Sequence, residues 1–442
     1  MNEDFENINY KNYIKFVLPT IFSMLFISIY TMTDGIFVSK RLGSTALAAL
    51  NITLPATSFI FGSIFMIVVG SSAIIGINLG AKEFEKANKN FSNMIYALAF
   101  ITLFFIVLGL FFTKPIVRLL GAKGNLLQYS IDYMFFIFIL SIGFVLKFFT
   151  EIFLRLEGKF KLSFFSTVVG GIANIILDYL FIYQLDMGIK GAALGTVIAA
   201  FINGLFGIVY FYTHQSNIRF VFTKLDFKFL KESSINGSSE MVSSISNGIT
   251  TFLFNTILLR TVGEVGVSSI SIILYMDFLL SSIFIGISSG IQPLVSYNLG
   301  ANNDNNINKL IKMSCKIIGI IGVLTFVICN IFKYQLISLF TLDNVELIDM
   351  TAKALTIFSF TFFISGFNIL GSGFFTALNN GKYSAIIAFS RSIIFKVVLI
   401  LTLPHILGLK GVWLTIPLSE YLCIFITVYF YLKVKKTELS IA

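Results

Sequence analysis

The chain has 442 residues, 56% of them hydrophobic and only 12% charged, with 32 Lys and Arg against 22 Asp and Glu. A soluble chain carries about 25% charged residues, so a water-facing surface is excluded, and a soluble enzyme with it. In so apolar a chain the basic excess marks the cytoplasmic loops of a membrane protein rather than a nucleic-acid surface.

Charge-free runs locate the spans. Residues 42–81, 91–113, 191–218, 278–303 and 354–381 contain no Asp, Glu, Lys or Arg. A helix needs about 20 mostly apolar residues to cross the hydrocarbon core, and runs this long are helical rather than alternating. In chain order the pattern predicts twelve spans: 14–37, 46–77, 91–113, 129–153, 161–183, 190–212, 233–259, 266–297, 310–332, 350–376, 383–404 and 408–432. The first fifteen residues place Glu3, Asp4 and Glu6 ahead of any apolar run. That is unlike a cleavable signal peptide, so the first span is expected to be retained. Eighteen basic residues fall on the side of the termini and nine on the other. The positive-inside rule therefore places both termini in the cytoplasm of a multi-pass protein of the cell (inner) membrane. Cys315, Cys329 and Cys423 lie within spans without ligand or disulfide spacing, as small core residues do. His214 and His405 stand isolated at span ends and are not read as metal ligands.

The chain repeats itself. Asn78-Leu79-Gly80-Ala81 recurs as Asn298-Leu299-Gly300-Ala301, Gly188-Ile189-Lys190-Gly191 as Gly408-Leu409-Lys410-Gly411, and Gly43 as Gly263, all at an offset of 220. Three matches in register indicate a duplication. Each half holds six spans, so the repeats are parallel, related by an axis along the membrane normal. The expected organisation is a first lobe over 1–212, a basic cytoplasmic linker over 213–232 and a second lobe over 233–442. Two six-helix lobes around a cleft suit an alternating-access transporter.

Specific motifs carry a family resemblance. The stretch 34–51, DGIFVSKRLGSTALAALN, followed by Pro55, resembles the first signature of the MATE (multidrug and toxic compound extrusion) family. Leu154-Arg155-Leu156-Glu157-Gly158-Lys159, Asn174 with Asp178, and Gly191 to Thr196 resemble that family's spans 4 to 6. Residues 290–301, GIQPLVSYNLGA, are similar to its span 8 exit, and Gly237 to Glu240 followed by Asn255 to span 7 of prokaryotic members. The resemblance runs from about Pro19 to Glu420. It implies an all-α, V-shaped, two-lobed transporter of small organic, often cationic, compounds. It also implies a working monomer with no cofactor beyond a coupling H⁺ or Na⁺.

An ionisable side chain inside a span costs about 3 kcal/mol by insertion scales, so each one needs a reason. Asn174 and Asp178 are four apart and share a helix face. Together with Asp34 and Thr196 they offer carboxylate, amide and hydroxyl oxygens suited to a proton or a hard cation such as Na⁺. The resemblance implies the same four positions as the first lobe's cation-coupling site. The structural alternatives are an Asp34 paired with Arg41 or Lys40, and an Asp178 that caps span 5. In the second half Glu240, Asp277, Arg391 and Lys396 lie inside spans, either for coupling or as an internal ion pair of Glu240 or Asp277 with Arg391 or Lys396. Lys147 and Glu151, four apart, are expected to pair with each other. Gln292-Pro293 is expected to break span 8, and Pro55 to bend span 2, as hinges lining a cleft.

The leading expectation is thus a cation-coupled antiporter exporting organic compounds. The alternative is a flippase for lipid-linked glycan or polysaccharide precursors, which needs a cationic cleft; Arg391 and Lys396 are its support. No His cluster, HExxH or Gly-x-Ser-x-Gly motif points to an enzyme.

Overall fold

The computed structural model describes residues 3–213, 216–340 and 344–437, so His214 lies outside the described residues. A one-turn helix, Glu3–Glu6, precedes twelve membrane-length helices. They are α1 (Tyr10–Gly43), α2 (Thr45–Gly80), α3 (Phe84–Leu119), α4 (Asn125–Ile139 with Ile142–Leu156), α5 (Phe160–Gln184) and α6 (Gly188–Tyr212). The second half repeats the series as α7 (Phe227–Thr261), α8 (Glu264–Gly300), α9 (Asp304–Ile331), α10 (Val345–Phe363 with Ser365–Ala377), α11 (Gly381–Leu407) and α12 (Leu409–Thr437). Ten are unbroken. The two halves of α4 meet at 55° and those of α10 at 41°. All twelve expected spans are present, longer than drawn because polar turns beyond the apolar core continue the helix. At α7 the start moves back from 233 to Phe227, where Asp226 caps the helix by accepting from Lys228 N and Phe229 N at 3.0 and 3.1 Å.

The repeated glycines have two structural roles. Gly43 and Gly263 turn the chain between α1 and α2 and between α7 and α8 at φ 82° and 77°, and Gly188 and Gly408 do the same before α6 and α12 at 61° and 57°. Side chains other than glycine's are strained there. Gly80 and Gly300 instead let α2 and α8 touch. Gly80 sits on the carbonyl of Tyr297, and Gly300 sits on the carbonyl of Ile77. The contact is reciprocal, as two like motifs facing each other across an axis must be. Deeper in, Gly70 of α2 and Gly237 of α7 press on each other's helix backbones. The halves therefore meet chiefly through α1 and α2 against α7 and α8, most tightly at the end that carries the chain termini.

The N-terminal segment closes that end. Phe5, 2% exposed, packs its ring against Phe16, Phe160 and Tyr297 at centroid distances of 5.6, 6.4 and 5.4 Å. Asn298 donates to the Phe5 carbonyl at 3.0 Å, Asn306 to the Glu6 carbonyl at 2.7 Å, and the Tyr297 hydroxyl to Glu6 Oε1 at 3.1 Å. These partners come from both halves. Phe5→Ala should cost about 3 kcal/mol of packing, the usual loss for a buried aromatic ring. A lower melting temperature of the purified protein is the expected result, and an unchanged one would contradict the packing described.

The break expected at Gln292-Pro293 is absent. α2 and α8 run unbroken through Pro55 and Pro293. A proline removes one backbone bond, and in a packed membrane bundle neighbouring groups make up for it. The bends fall at Leu140-Ser141 and Ile364, where the sequence has no proline. The linker over 216–226 is an extended strap on the first half. Asn88, Ser92 and Asn93 of α3 accept from the backbone N–H groups of Arg219, Val221 and Asp226, each at 2.8 Å. Glu157 accepts from Asn217 N and Nδ2 at 3.0 Å. Glu157 is therefore structural, as its place in a turn suggested.

Candidate functional site

In the first half, α1 carries Asp34, α5 carries Asn174 and Asp178, and α6 carries Thr196. The fold brings all four together. Asn174 and Asp178 are 2% and 1% exposed, and the Asn174 amide donates to Asp178 Oδ2 at 3.5 Å. The Asp34 carboxyl faces that of Asp178 within interaction distance. Asp178 Oδ1 lies where a β-carbon on Gly195 would stand, so the carboxyl fits only because α6 has glycine there. The helix turns to π geometry immediately after Asp178, over Tyr179–Gln184. Such segments often accompany functional side chains because they re-aim the preceding turn. Thr196 donates to the Ala192 carbonyl at 2.9 Å, which leaves its oxygen lone pairs available.

Three oxygens in this cluster, Asp34 Oδ1, Asn174 Oδ1 and Asp178 Oδ1, are buried without a hydrogen-bond partner. Buried acceptors without partners are rare and costly in a native protein. A proton or a cation is what they lack. A cavity of about 30 Å³, the scale of one water or ion, is bordered by Asn174 and Thr196 of this cluster, and also by Tyr30, Lys147 and Asn203.

The structural alternatives are not realised. Arg41 pairs with Asp186 at 3.3 Å rather than with Asp34, and Asp178 makes no cap. Lys147 and Glu151 do not pair either. Lys147 Nζ donates to the Tyr30 hydroxyl at 2.8 Å, while Glu151 Oε1 accepts from Asn203 at 2.9 Å and Thr167 at 3.3 Å. Side chains four apart share a face, but here other helices supply better partners on either side of it.

In the second half Glu240, Asp277, Arg391 and Lys396 all line one cavity of about 350 Å³ among α7, α8, α10, α11 and α12. The ion pair expected among them does not form. Arg391 Nε instead donates to Glu420 Oε1 of α12 at 2.6 Å, and Glu420 Oε2 accepts from Asn368 at 2.8 Å. Glu420 was missed in the sequence, although it stands mid-span in 408–432 and the insertion cost applied to Glu240 applies equally to it. Arg391 itself sits in a second π segment, Ser390–Ile394.

A bundle of twelve membrane helices in two like halves, with unsatisfied carboxyls buried in one and a charged cavity in the other, is a membrane transporter. The family model MatE matches the chain twice, over residues 19–180 and 241–402, once in each repeat. The chain belongs to this family, the MATE transporters of multidrug efflux. It is 28% identical over 417 residues to the multidrug export protein MepA of Staphylococcus aureus (strain bovine RF122 / ET3-1), covering 94% of this chain and 91% of that one. MepA of Staphylococcus haemolyticus (strain JCSC1435) is 28% identical over 429 residues, covering 96% and 93%. Among solved structures, the MATE multidrug transporter DinF-BH is similar at a TM-score of 0.89 and 26% identity, over 98% of this chain and 99% of that one. A MATE structure in complex with MaL6 matches at 0.92 and 22% identity over 99% of each chain, which speaks to the fold.

Proposed function

We propose that the protein is a cation-coupled antiporter that exports organic, often cationic, compounds by alternating access. Lobes 1–212 and 233–442 would work around the 213–232 linker as a monomer, with both termini in the cytoplasm. The coupling ion is exchanged at Asp34, Asn174, Asp178 and Thr196. The observation that carries this reading is the convergence of three unpartnered buried oxygens on one first-half cluster. Filling it with a proton or cation changes the charge and packing between α1, α5 and α6. Compound and ion can then drive each other only if each favours a different state of the protein. The names of the MepA relatives support multidrug export as the task.

The flippase reading loses its support in the second half, because Glu420 neutralises Arg391 and leaves Lys396 alone to hold a pyrophosphate. The test is transport of a fluorescent organic cation in proteoliposomes with a pH gradient and a Na⁺ gradient imposed separately. Movement driven by at least one of the two gradients is expected. Transport indifferent to both gradients overturns the antiporter.

A further inference from the structure

The strap over 216–226 is held on α3 by its backbone, and it leaves large apolar side chains in the open. Phe220, Phe222 and Leu225 are exposed, Phe222 to 94%, and so is Phe227 at the start of α7. The Phe220 ring lies edge-on to Tyr96 of α3 at 5.8 Å and to Phe222 at 5.3 Å. Apolar groups gathered on an exposed surface mark a contact site.

The level of these rings on α3 says what they contact. Tyr96 heads a stripe at helical spacing, Phe100, Leu103, Val107 and Phe111, all of them exposed. The stripe lies in the charge-free run 91–113 and so faces acyl chains. Toward the start of α3 it gives way to Asn88, Ser92 and Asn93, the polar turns that hold the strap. Phe220 and Phe222 therefore continue the lipid-facing stripe at the point where α3 leaves the hydrocarbon. That is the depth at which aromatic rings collect in membrane proteins.

Charge selects among lipids. Arg219, Lys224, Lys228 and Lys231 are interleaved with these apolar residues, and all four are exposed. None makes a side-chain hydrogen bond or ion pair among the described residues. Lys86 and Lys89, at the same end of α3, are instead neutralised by Glu83 and Glu85 at 3.0 and 2.6 Å. Of the acidic residues within 216–232, Asp226 is occupied in capping α7, which leaves Glu232. The strap thus presents rings at interfacial depth beside cations that the protein itself does not balance.

We propose that the strap is a binding site for anionic phospholipids. Phe220 and Phe222 enter the boundary between headgroups and acyl chains on the side of the termini, and Arg219, Lys224 and Lys228 hold the lipid phosphates. Apolar burial sets the depth, and the cations set the preference for acidic headgroups. The strap is bonded to α3 and to Glu157 and leads directly into α7, so bound lipid ties both halves to one leaflet. The site is separate from the coupling cluster and stands whichever ion the protein uses.

Lipid quenching tests it. Phe222→Trp places an indole on the strap of the full chain, and the wild type, with Trp413 alone, supplies the background. The protein is held in nanodiscs of equal parts phosphatidylglycerol and phosphatidylcholine, with bromines on the acyl chains of one lipid or of the other. Both should quench the introduced indole, and brominated phosphatidylglycerol should do so at least about threefold more, which is less than the full effect of one basic residue at an anionic surface. Raised salt should shrink the difference. Adding Arg219→Gln, Lys224→Gln and Lys228→Gln should bring the two lipids to within about 1.5-fold of each other by removing that attraction. These side chains make no internal bonds, and Lys224→Arg with Lys228→Arg, which keeps the charge, should keep the preference. Quenching by neither lipid would put the rings in water and make the patch a surface for another protein, which overturns the proposal. Equal quenching by the two lipids, or a preference that survives the three neutral substitutions, overturns it as well.

Discussion

Asp178→Asn and Asp34→Asn are each expected to abolish export of a fluorescent cation from cells while the protein stays in the membrane. Asparagine keeps the shape of aspartate. At 178 it can still lie over Gly195 and still accept from the Asn174 amide, so the local packing survives. What it loses is the ability to gain and release a proton, or to hold a cation by charge. If the first-half cluster couples ion to substrate, no residual coupling remains to be spread elsewhere. A fall in efflux of at least about tenfold is expected, the middle of the range for coupling energies. Undiminished efflux in either variant, at matched protein level, removes that carboxylate from the coupling machinery. The two carboxyls face each other, so the double variant should be no worse than either single one.

Glu420→Ala should be among the most destabilising single changes in the second half. Glu420 is 1% exposed, and it holds Arg391 at 2.6 Å and the Asn368 amide at 2.8 Å. Its removal leaves a guanidinium inside the bundle without its counter-charge, a loss of about 3–5 kcal/mol. The expected readout is a large drop in melting temperature in detergent. Adding Arg391→Leu should recover much of the loss, since deleting both members of a buried pair is far cheaper than deleting one. A Glu420→Ala protein that melts with the wild type would mean the pair is not stabilising.

Much of the site was legible because membrane burial makes charge informative. Asp34, Asn174, Asp178 and Thr196 stood out as polar groups in apolar runs, and the structure places them in one cluster. Their spacing on α5 was enough to put Asn174 beside Asp178. Partnerships across helices were not legible. Arg391 was matched with the wrong carboxylates because Glu420 lies 29 residues further on, in the next helix, and nothing in local spacing joins them. Lys147 and Glu151 look like a pair by the rule of four, yet Tyr30 and Asn203 claim them from opposite sides. No break forms at Gln292-Pro293 for a related reason: proline weakens a helix locally, but neighbours in a packed bundle can satisfy what it frees. The bends of α4 and α10 arise at positions the sequence does not mark.

By itself the sequence determined that the chain lies in a membrane, how often it crosses, and that it is one six-helix unit written twice. Scarcity of charge and regular apolar runs follow from the solvent alone, and a repeat is visible without coordinates. Tertiary structure alone decided which buried groups are left without partners. The unpartnered oxygens of Asp34, Asn174 and Asp178 and the bond between Arg391 and Glu420 belong to pairs of helices, not to any one of them. Whether a buried charge is satisfied depends on distances of a few ångströms between segments far apart in the chain, and only packing sets those.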